Sequence, residues 1–119
     1  MRTPMIAGNW KMNTTVTEAV ELVDAMCPEI DKLTGVDKLI CPPFISLLVV
    51  REIIGDSSLR LGAQNLYFEG NGAFTGEISP LMLVGVCEFV IIGHSERRQY
   101  FADTGETVSK KIQAATAVG

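Results

Sequence analysis

The chain carries one histidine, one tryptophan and three cysteines, has no block of basic residues, and holds no apolar run near the ~20 residues that a membrane span requires. Each scarcity removes a class of function. A single histidine cannot build a multi-histidine metal site, and neither an HxxE nor an HExxH spacing occurs, so no metal is expected. Cys27, Cys41 and Cys87 are odd in number and widely spaced, with no CxxC pair. That excludes a zinc or dithiol motif and predicts reduced, buried thiols in a cytoplasmic protein. Ten basic residues against fourteen acidic ones give a net charge of −4, a field that repels phosphodiester backbones and anionic lipid alike. Nucleic acid and membranes are therefore not expected partners. Pro4, Gly8 and Lys11 interrupt the N-terminal segment where a secretory signal needs an apolar stretch of roughly 7–15 residues, so no export signal is expected.

What is present is a globular composition, 47% hydrophobic and 20% charged over 119 residues, without a linker or repeat. One domain spanning residues 1–119 is expected. Short apolar runs at Met5–Ala7, Lys38–Cys41, Leu59–Gln64 and Phe89–Ile92 read as strands. Between them lie helical patterns. Thr15 and Glu18 form a capping box ahead of Ala19, Val20, Val23, Met26, Cys27 and Ile30 at helical spacing, with Pro28 expected to kink or restart the helix. Ser46 is expected to N-cap a helix ending at Ile54, with Gly55 as its left-handed stop. Ser79-Pro80 opens a third helix. A fourth helical region starts near Ser95 and, after a turn at residues 103–105, places Val108, Ile112 and Ala115 on one face, with Glu106 and Lys110 paired.

The order βαβαβαβα demands right-handed crossovers and a parallel sheet. A (β/α)₈ barrel takes ~250 residues, or ~31 per βα unit, so a chain of this length holds about four units, half a barrel. A small flavodoxin-like sheet is the competing reading.

Reactive residues in parallel α/β folds gather after the strands. Asn9 and Lys11 follow the first strand; in an extended segment they project to one side, suited to an anionic substrate and its oxyanion, or they are a turn-forming amide and a solvated ammonium. His94 stands where the fourth strand hands over to a helix, whose N-terminus disfavours imidazolium and leaves a neutral ring able to donate or accept a proton. The plainer reading is a structural hydrogen-bonder. Ser95 reads as an N-cap and not a nucleophile, lacking a G-x-S-x-G context. Arg97 and Arg98 suit either phosphate binding or salt bridging. The segment 65–77 carries Leu66, Tyr67, Phe68 and Phe74 among glycines, too many aromatics for a loop to bury alone, and reads as a lid or an arm gripping another subunit.

Five segments in register, residues 8–13 (GNWKMN), 41–43 (CPP), 62–65 (GAQN), 72–77 (GAFTGE) and 93–98 (GHSERR), resemble the triosephosphate isomerase family in order and spacing. The resemblance implies the (βα)₄ N-terminal half of that family's barrel. It implies an enzyme that interconverts dihydroxyacetone phosphate and D-glyceraldehyde 3-phosphate in glycolysis and gluconeogenesis, without a cofactor. By the same resemblance Asn9 and Lys11 contact substrate, His94 is the neutral electrophile, and Ser95 and Glu96 support it, Glu96 positioning Lys11. The 65–77 loop matches the arm of the family's dimer, with Phe74, Thr75 and Glu77 at the subunit interface. The family's glutamate base follows its sixth strand, and its phosphate grip lies beyond that. Neither segment is among these 119 residues, so turnover by this chain alone is expected to be very low, and the expected partner is a complementary C-terminal half or another copy. The alternative is an inactive, self-associating half-barrel or phosphate-binding module.

Overall fold

A computed structural model describes residues 2–119. Four parallel strands, β1 (Met5–Asn9), β2 (Asp37–Cys41), β3 (Leu59–Ala63) and β4 (Phe89–Val90), lie side by side in their chain order. Met5 stands opposite Asp37, Lys38 opposite Leu59, and Gly62 opposite Phe89. A doubly wound sheet reverses its strand order at a switch point. This one advances by one neighbour at every crossover, which is barrel winding, so the chain forms a (βα)₄ half-barrel and the flavodoxin-like alternative falls.

The strand ends differ from expectation at the side where chemistry would sit. β1 runs two residues further, to Asn9, whereas β3 stops before Gln64 and β4 keeps only two residues of the expected Phe89–Ile92. Ile91 still donates to the Ala63 carbonyl at 2.9 Å, but the chain then turns through Gly93 at φ 70°, which ends the ladder.

Helix α1 (Val16–Asp31) starts on the expected capping box. The Glu18 amide donates to Thr15 Oγ1 at 3.2 Å and the Thr15 amide to Glu18 Oε1 at 3.3 Å. Pro28 lies inside one continuous helix and does not restart it. The ring and the Asp24 carbonyl that loses its donor both belong to exposed residues, so water can satisfy the orphan. The inward stripe Ala19, Val23 and Cys27 packs with Leu47, Val50 and Ile54 of α2 (Leu47–Ile54) over Ile40, Leu59 and Leu61 of the sheet. Ser46 holds the expected N-cap position of α2, but its side chain makes no capping hydrogen bond. Its backbone is helical, the last residue of a 3-10 turn from Phe44, and its buried hydroxyl finds no partner among the described residues. Gly55 does end α2, at φ 45° and ψ −122°, outside the left-handed helical well expected and in a region glycine alone tolerates.

Ser79 caps the single turn α3 (Pro80–Leu83) as expected, accepting from the Met82 amide at 3.3 Å. The fourth helical region is two helices, α4 (Ser95–Tyr100) and α5 (Gly105–Ala117), the second capped by Thr104 and Thr107. Glu106 and Lys110 pair at 3.4 Å. The inward residues of α5 are Val108, Ala115, which packs against the core half-buried, and, unexpectedly, Lys111, while Ile112 is 51% exposed. The Lys111 ammonium, its side chain only 4% exposed, reaches Asp103 Oδ1 at 3.0 Å and Asn65 Oδ1 at 3.0 Å. Asp103 also accepts from Arg97 Nε at 3.1 Å, and the Arg97 guanidinium lies over the Phe101 ring. Arg98 Nε donates to the Gly93 carbonyl at 2.9 Å. Both arginines are thus engaged within the fold.

Polar clamps close the opposite end. Lys38, buried, donates to the Ile30 and Leu33 carbonyls at 3.1 and 2.6 Å and to Ser58 Oγ at 2.6 Å, satisfying the end of α1 with a cation where the helix dipole favours one. Glu88 accepts from Arg51 Nη2 at 2.7 Å and the Leu61 amide at 3.1 Å, tying α2 to β3 and β4.

The thiols are free. Cys27 and Cys41 are buried as expected, but Cys87 is only half-buried. Burial, then the neighbouring Cys87, pushes the Cys41 thiol up to about 11, so it is un-ionised and unreactive at neutral pH.

Candidate active site at the strand C-terminal ends

Asn9, Lys11, Cys41, Gln64 and His94 all stand at or just beyond the C-terminal ends of their strands. The Trp10 amide continues the ladder by donating to the Cys41 carbonyl at 3.1 Å, and the chain then bends sharply at Lys11, φ 57°. This segment is therefore not extended, as the same-side argument for Asn9 and Lys11 assumed. Instead Asn9 Oδ1 accepts from the Lys11 amide at 2.9 Å, which supports the strained turn and leaves the Asn9 Nδ2 group as its remaining donor. From the other side Gln64 Nε2 donates to the Lys11 carbonyl at 2.8 Å and to the Cys41 carbonyl at 2.9 Å. One carboxamide thus fastens the Lys11 turn to the end of β2. Gln64 lies within the GAQN segment, yet its side chain had no assigned role. Its position one residue past a strand end was the available signal.

Lys11 Nζ reaches across to Glu96 Oε1 at 2.6 Å, 85 residues away in sequence. Both side chains are half-exposed, 53% and 40%, so the pair adds little to stability. What it fixes is direction. An ammonium has three donors, and Glu96 occupies one of them. The hydrogen bond from Lys11, opposed by partial desolvation and aided by the charges of Lys11 and His94, holds the Glu96 carboxyl below the usual glutamate range.

His94, not Ser95, is the N-cap of α4. Its Nδ1 accepts from the Glu96 amide at 3.1 Å, and Ser95 is the first helical residue, which corrects the expected cap. Glu96 Oε2, at 3.7 Å from the same nitrogen, is a neighbour and not a hydrogen-bond partner. A ring nitrogen that accepts a backbone N–H carries no proton, so this geometry belongs to the neutral ring with its hydrogen on Nε2. Gly93 makes the handover possible. At φ 70°, a Cβ there would stand 2.9 Å from a Val108 methyl and 3.1 Å from Arg98.

The structure thus brings Lys11, Glu96 and His94 into one cluster, with Asn9 and Gln64 holding the Lys11 turn. It does not bring the arm residues there by any contact among the described residues. The 65–77 segment buries Leu66 in the core, stacks Tyr67 on Phe68 with ring centroids 4.2 Å apart and sets Phe74 at a tilt to it at 4.8 Å, with its base closed by the Tyr67 amide on the Ile78 carbonyl at 2.7 Å. The loop therefore shelters its aromatics better than expected, but Phe74, Thr75 and Glu77 stay exposed. No group of His, Cys, Asp and Glu among the described residues could hold a metal, and no helix among them is long and apolar enough to cross a membrane.

A parallel half-barrel wound in chain order, with Asn9, Lys11 and His94 at its strand C-terminal ends, belongs to the (β/α)₈-barrel fold class. The particular family follows from comparison. The sequence profile of triosephosphate isomerase matches residues 4–119, and this chain belongs to that family. It is 59% identical to the triosephosphate isomerase of Dehalococcoides mccartyi over 119 residues, 100% of this chain and 47% of that protein. With the enzyme of Chloroflexus aurantiacus it shares 53% identity over 120 residues, covering 48% of the relative. The crystal structure of triosephosphate isomerase from Bartonella henselae superposes with a TM-score of 0.91 at 39% identity, covering 99% of this chain and 49% of that one. The chain spans about half the length of the curated relatives it matches.

Proposed function

We propose that these 119 residues form a single domain that supplies the electrophilic half of a triosephosphate isomerase site, acting on a phosphorylated triose in the cytoplasm. The observation that carries this reading is the Lys11–Glu96–His94 cluster, with Lys11 aimed by Glu96 and His94 Nδ1 engaged by the Glu96 amide. In this reading the substrate carbonyl accepts a hydrogen bond from His94 Nε2–H, while Asn9 and the free donors of Lys11 attract the phosphate and the enediolate oxygen that develops. Ser95 and Glu96 keep the imidazole and ammonium in place. The proton on carbon must be removed by a carboxylate, which the family supplies from its C-terminal half. Glu69 and Glu77 sit on the exposed arm and do not replace it. Phe74, Thr75 and Glu77 are proposed as the face that the arm presents to a second subunit.

The test is a coupled isomerase assay of this chain alone and mixed with a separately produced C-terminal half of the Dehalococcoides relative. General base catalysis is typically worth ~10²–10⁴-fold, so the mixture should exceed the chain alone by at least that range. In the mixture His94→Gln and Lys11→Ala should each abolish the gain, whereas Arg98→Ala should keep it. Equal loss in all three would indicate folding damage and defeat the assignment.

A further inference from the structure

Among the described residues three that are not glycine have positive φ, and Lys11, at 57°, is the one whose side chain belongs to the site. Such a backbone persists only where its surroundings over-determine it. Two hydrogen bonds reach it. Asn9 Oδ1 takes the Lys11 amide at 2.9 Å, a local bond that travels with the segment. Gln64 Nε2 reaches the Lys11 carbonyl at 2.8 Å from 53 residues away, and the same nitrogen reaches the Cys41 carbonyl at 2.9 Å. Cys41 is fully buried, and its carbonyl also receives the Trp10 amide at 3.1 Å. Gln64 is itself held on both sides. Ala63 before it is buried at the end of β3, and Asn65 after it accepts from Lys111, whose side chain is 4% exposed.

We propose that Gln64 is a positioning residue for this site: by holding the Lys11 carbonyl to the end of β2, it keeps the Lys11 ammonium turned toward Glu96. The chemistry of the side chain fits that role better than the filling of space. A carboxamide nitrogen carries two hydrogens, and here both meet carbonyl oxygens, which fixes the amide with its own oxygen turned away. A side chain of the same length without donors leaves the Cys41 carbonyl its Trp10 amide, but leaves the Lys11 carbonyl with no other partner among the described residues. The ion pair cannot replace that bond. The Lys11 and Glu96 side chains are 53% and 40% exposed, and a pair half in water holds a strained backbone weakly. Glu96 receives the ammonium; Gln64 decides where it arrives. The consequence for turnover rests on the reading of Lys11 as a substrate contact, whereas the placement of Lys11 does not.

The test reads Lys11 directly, without substrate, by nuclear magnetic resonance of the isotopically labelled 119-residue chain. In the parent the Lys11 Nζ resonance should move as Glu96 is titrated, a shift identified by its absence in Glu96→Gln. Gln64→Met keeps the length of the side chain and removes its donors. It should lose most of that shift and displace the Lys11 backbone amide signal, while the far-UV spectrum stays that of the parent. In the mixture with the C-terminal half, the same variant should lose about 10²-fold of the isomerase gain, the scale of an ångström-sized misplacement. A parent mixture without gain would defeat the isomerase reading and leave the Lys11 measurement to decide the placement by itself. Gln64→Met that keeps the full shift, or the full gain, overturns the proposal, as does a parent in which Lys11 does not follow Glu96. If Gln64→Met does not fold, Gln64→Leu is judged by the same criterion. Failure of both to fold would also overturn the proposal, because Gln64 would then support the whole fold and not the site.

Discussion

β1 and β3 are strands of five residues with similar apolar content, MIAGN and LRLGA, yet the first is exposed almost throughout and the second is buried at four of its five positions. Composition does not distinguish them; position does. β3 has a strand on each side, helices α1 and α2 above it, and an arginine as its one exposed residue. Among the described residues β1 has one neighbouring strand, β2. The same contrast separates two ion pairs. Lys111–Asp103 lies inside, between α5 and the root of the arm, while Lys11–Glu96 lies on the rim, half in water. Within one half-barrel the interior is held by burial and the rim by orientation.

The largest test of that contrast is the interior ion pair. Asp103→Ala leaves the Lys111 ammonium and Arg97 without their shared acceptor in a nearly dry site. Breaking a buried pair in this way costs roughly 3–5 kcal/mol. The rim variant Glu96→Gln should cost far less, because both partners of its ion pair stand half in water. Urea unfolding of the two variants measures both, and equal losses would mean that Lys111 is solvated in solution. Next in size is the strand comparison. Leu61, fully buried in β3, should lose about 2–5 kcal/mol as Leu61→Ala. Ile6→Ala in β1 should stay within about 0.5 kcal/mol in dilute solution. Equal losses at Leu61 and Ile6 would mean that β1 is as well covered in solution as β3.

Much of this was legible in the sequence where a local rule has no competitor. The capping box at Thr15 and Glu18, the Ser79-Pro80 start and the helical stripe of α1 depend only on residues a few positions apart, and all three stand. Ser46 stands at the cap position its place before an apolar run suggested, but the 3-10 turn that begins at Phe44 gives it helical backbone and buries the hydroxyl without a capping bond. His94 replaced Ser95 as cap because an imidazole nitrogen can accept the same amide, which a hydroxyl-based rule overlooks. Ile112 had the right spacing for the core and Lys111 the wrong chemistry, yet the order is reversed, because an acceptor 8 residues away and another 46 residues away decide it. Those are long-range contacts with no local signature. The site residues themselves were legible through the family's motifs, whereas the bent backbone at Lys11 and the carboxamide of Gln64 that holds it were not.

The smallest effect separates interior from rim by pH. Glu88 and Glu96 both have carboxyls below the usual glutamate range. At Glu88 partial desolvation works against this, but hydrogen bonds from Arg51 and the Leu61 amide outweigh it. At Glu96 the bond from Lys11 leads. A carboxyl whose pKa is lower folded than unfolded contributes stability above its unfolded value, about 4.3, and loses it as pH falls through the folded value. Both contributions are therefore complete at neutral pH and disappear on acidification below about 4.3. They differ in what goes with them. Protonating Glu88 loosens a clamp that joins α2, β3 and β4, so Glu88→Gln should flatten the acid limb of the stability curve. Protonating Glu96 frees the Lys11 ammonium without unlocking any packing, so Glu96→Gln should leave that limb nearly unchanged. Its mark should instead be confined to the Lys11 side-chain resonances, which in the parent shift as pH falls and in the variant should not. If Glu96→Gln flattened the acid limb as much as Glu88→Gln, the rim pair would be holding the fold together, and the division between a buried interior and an oriented rim would fail.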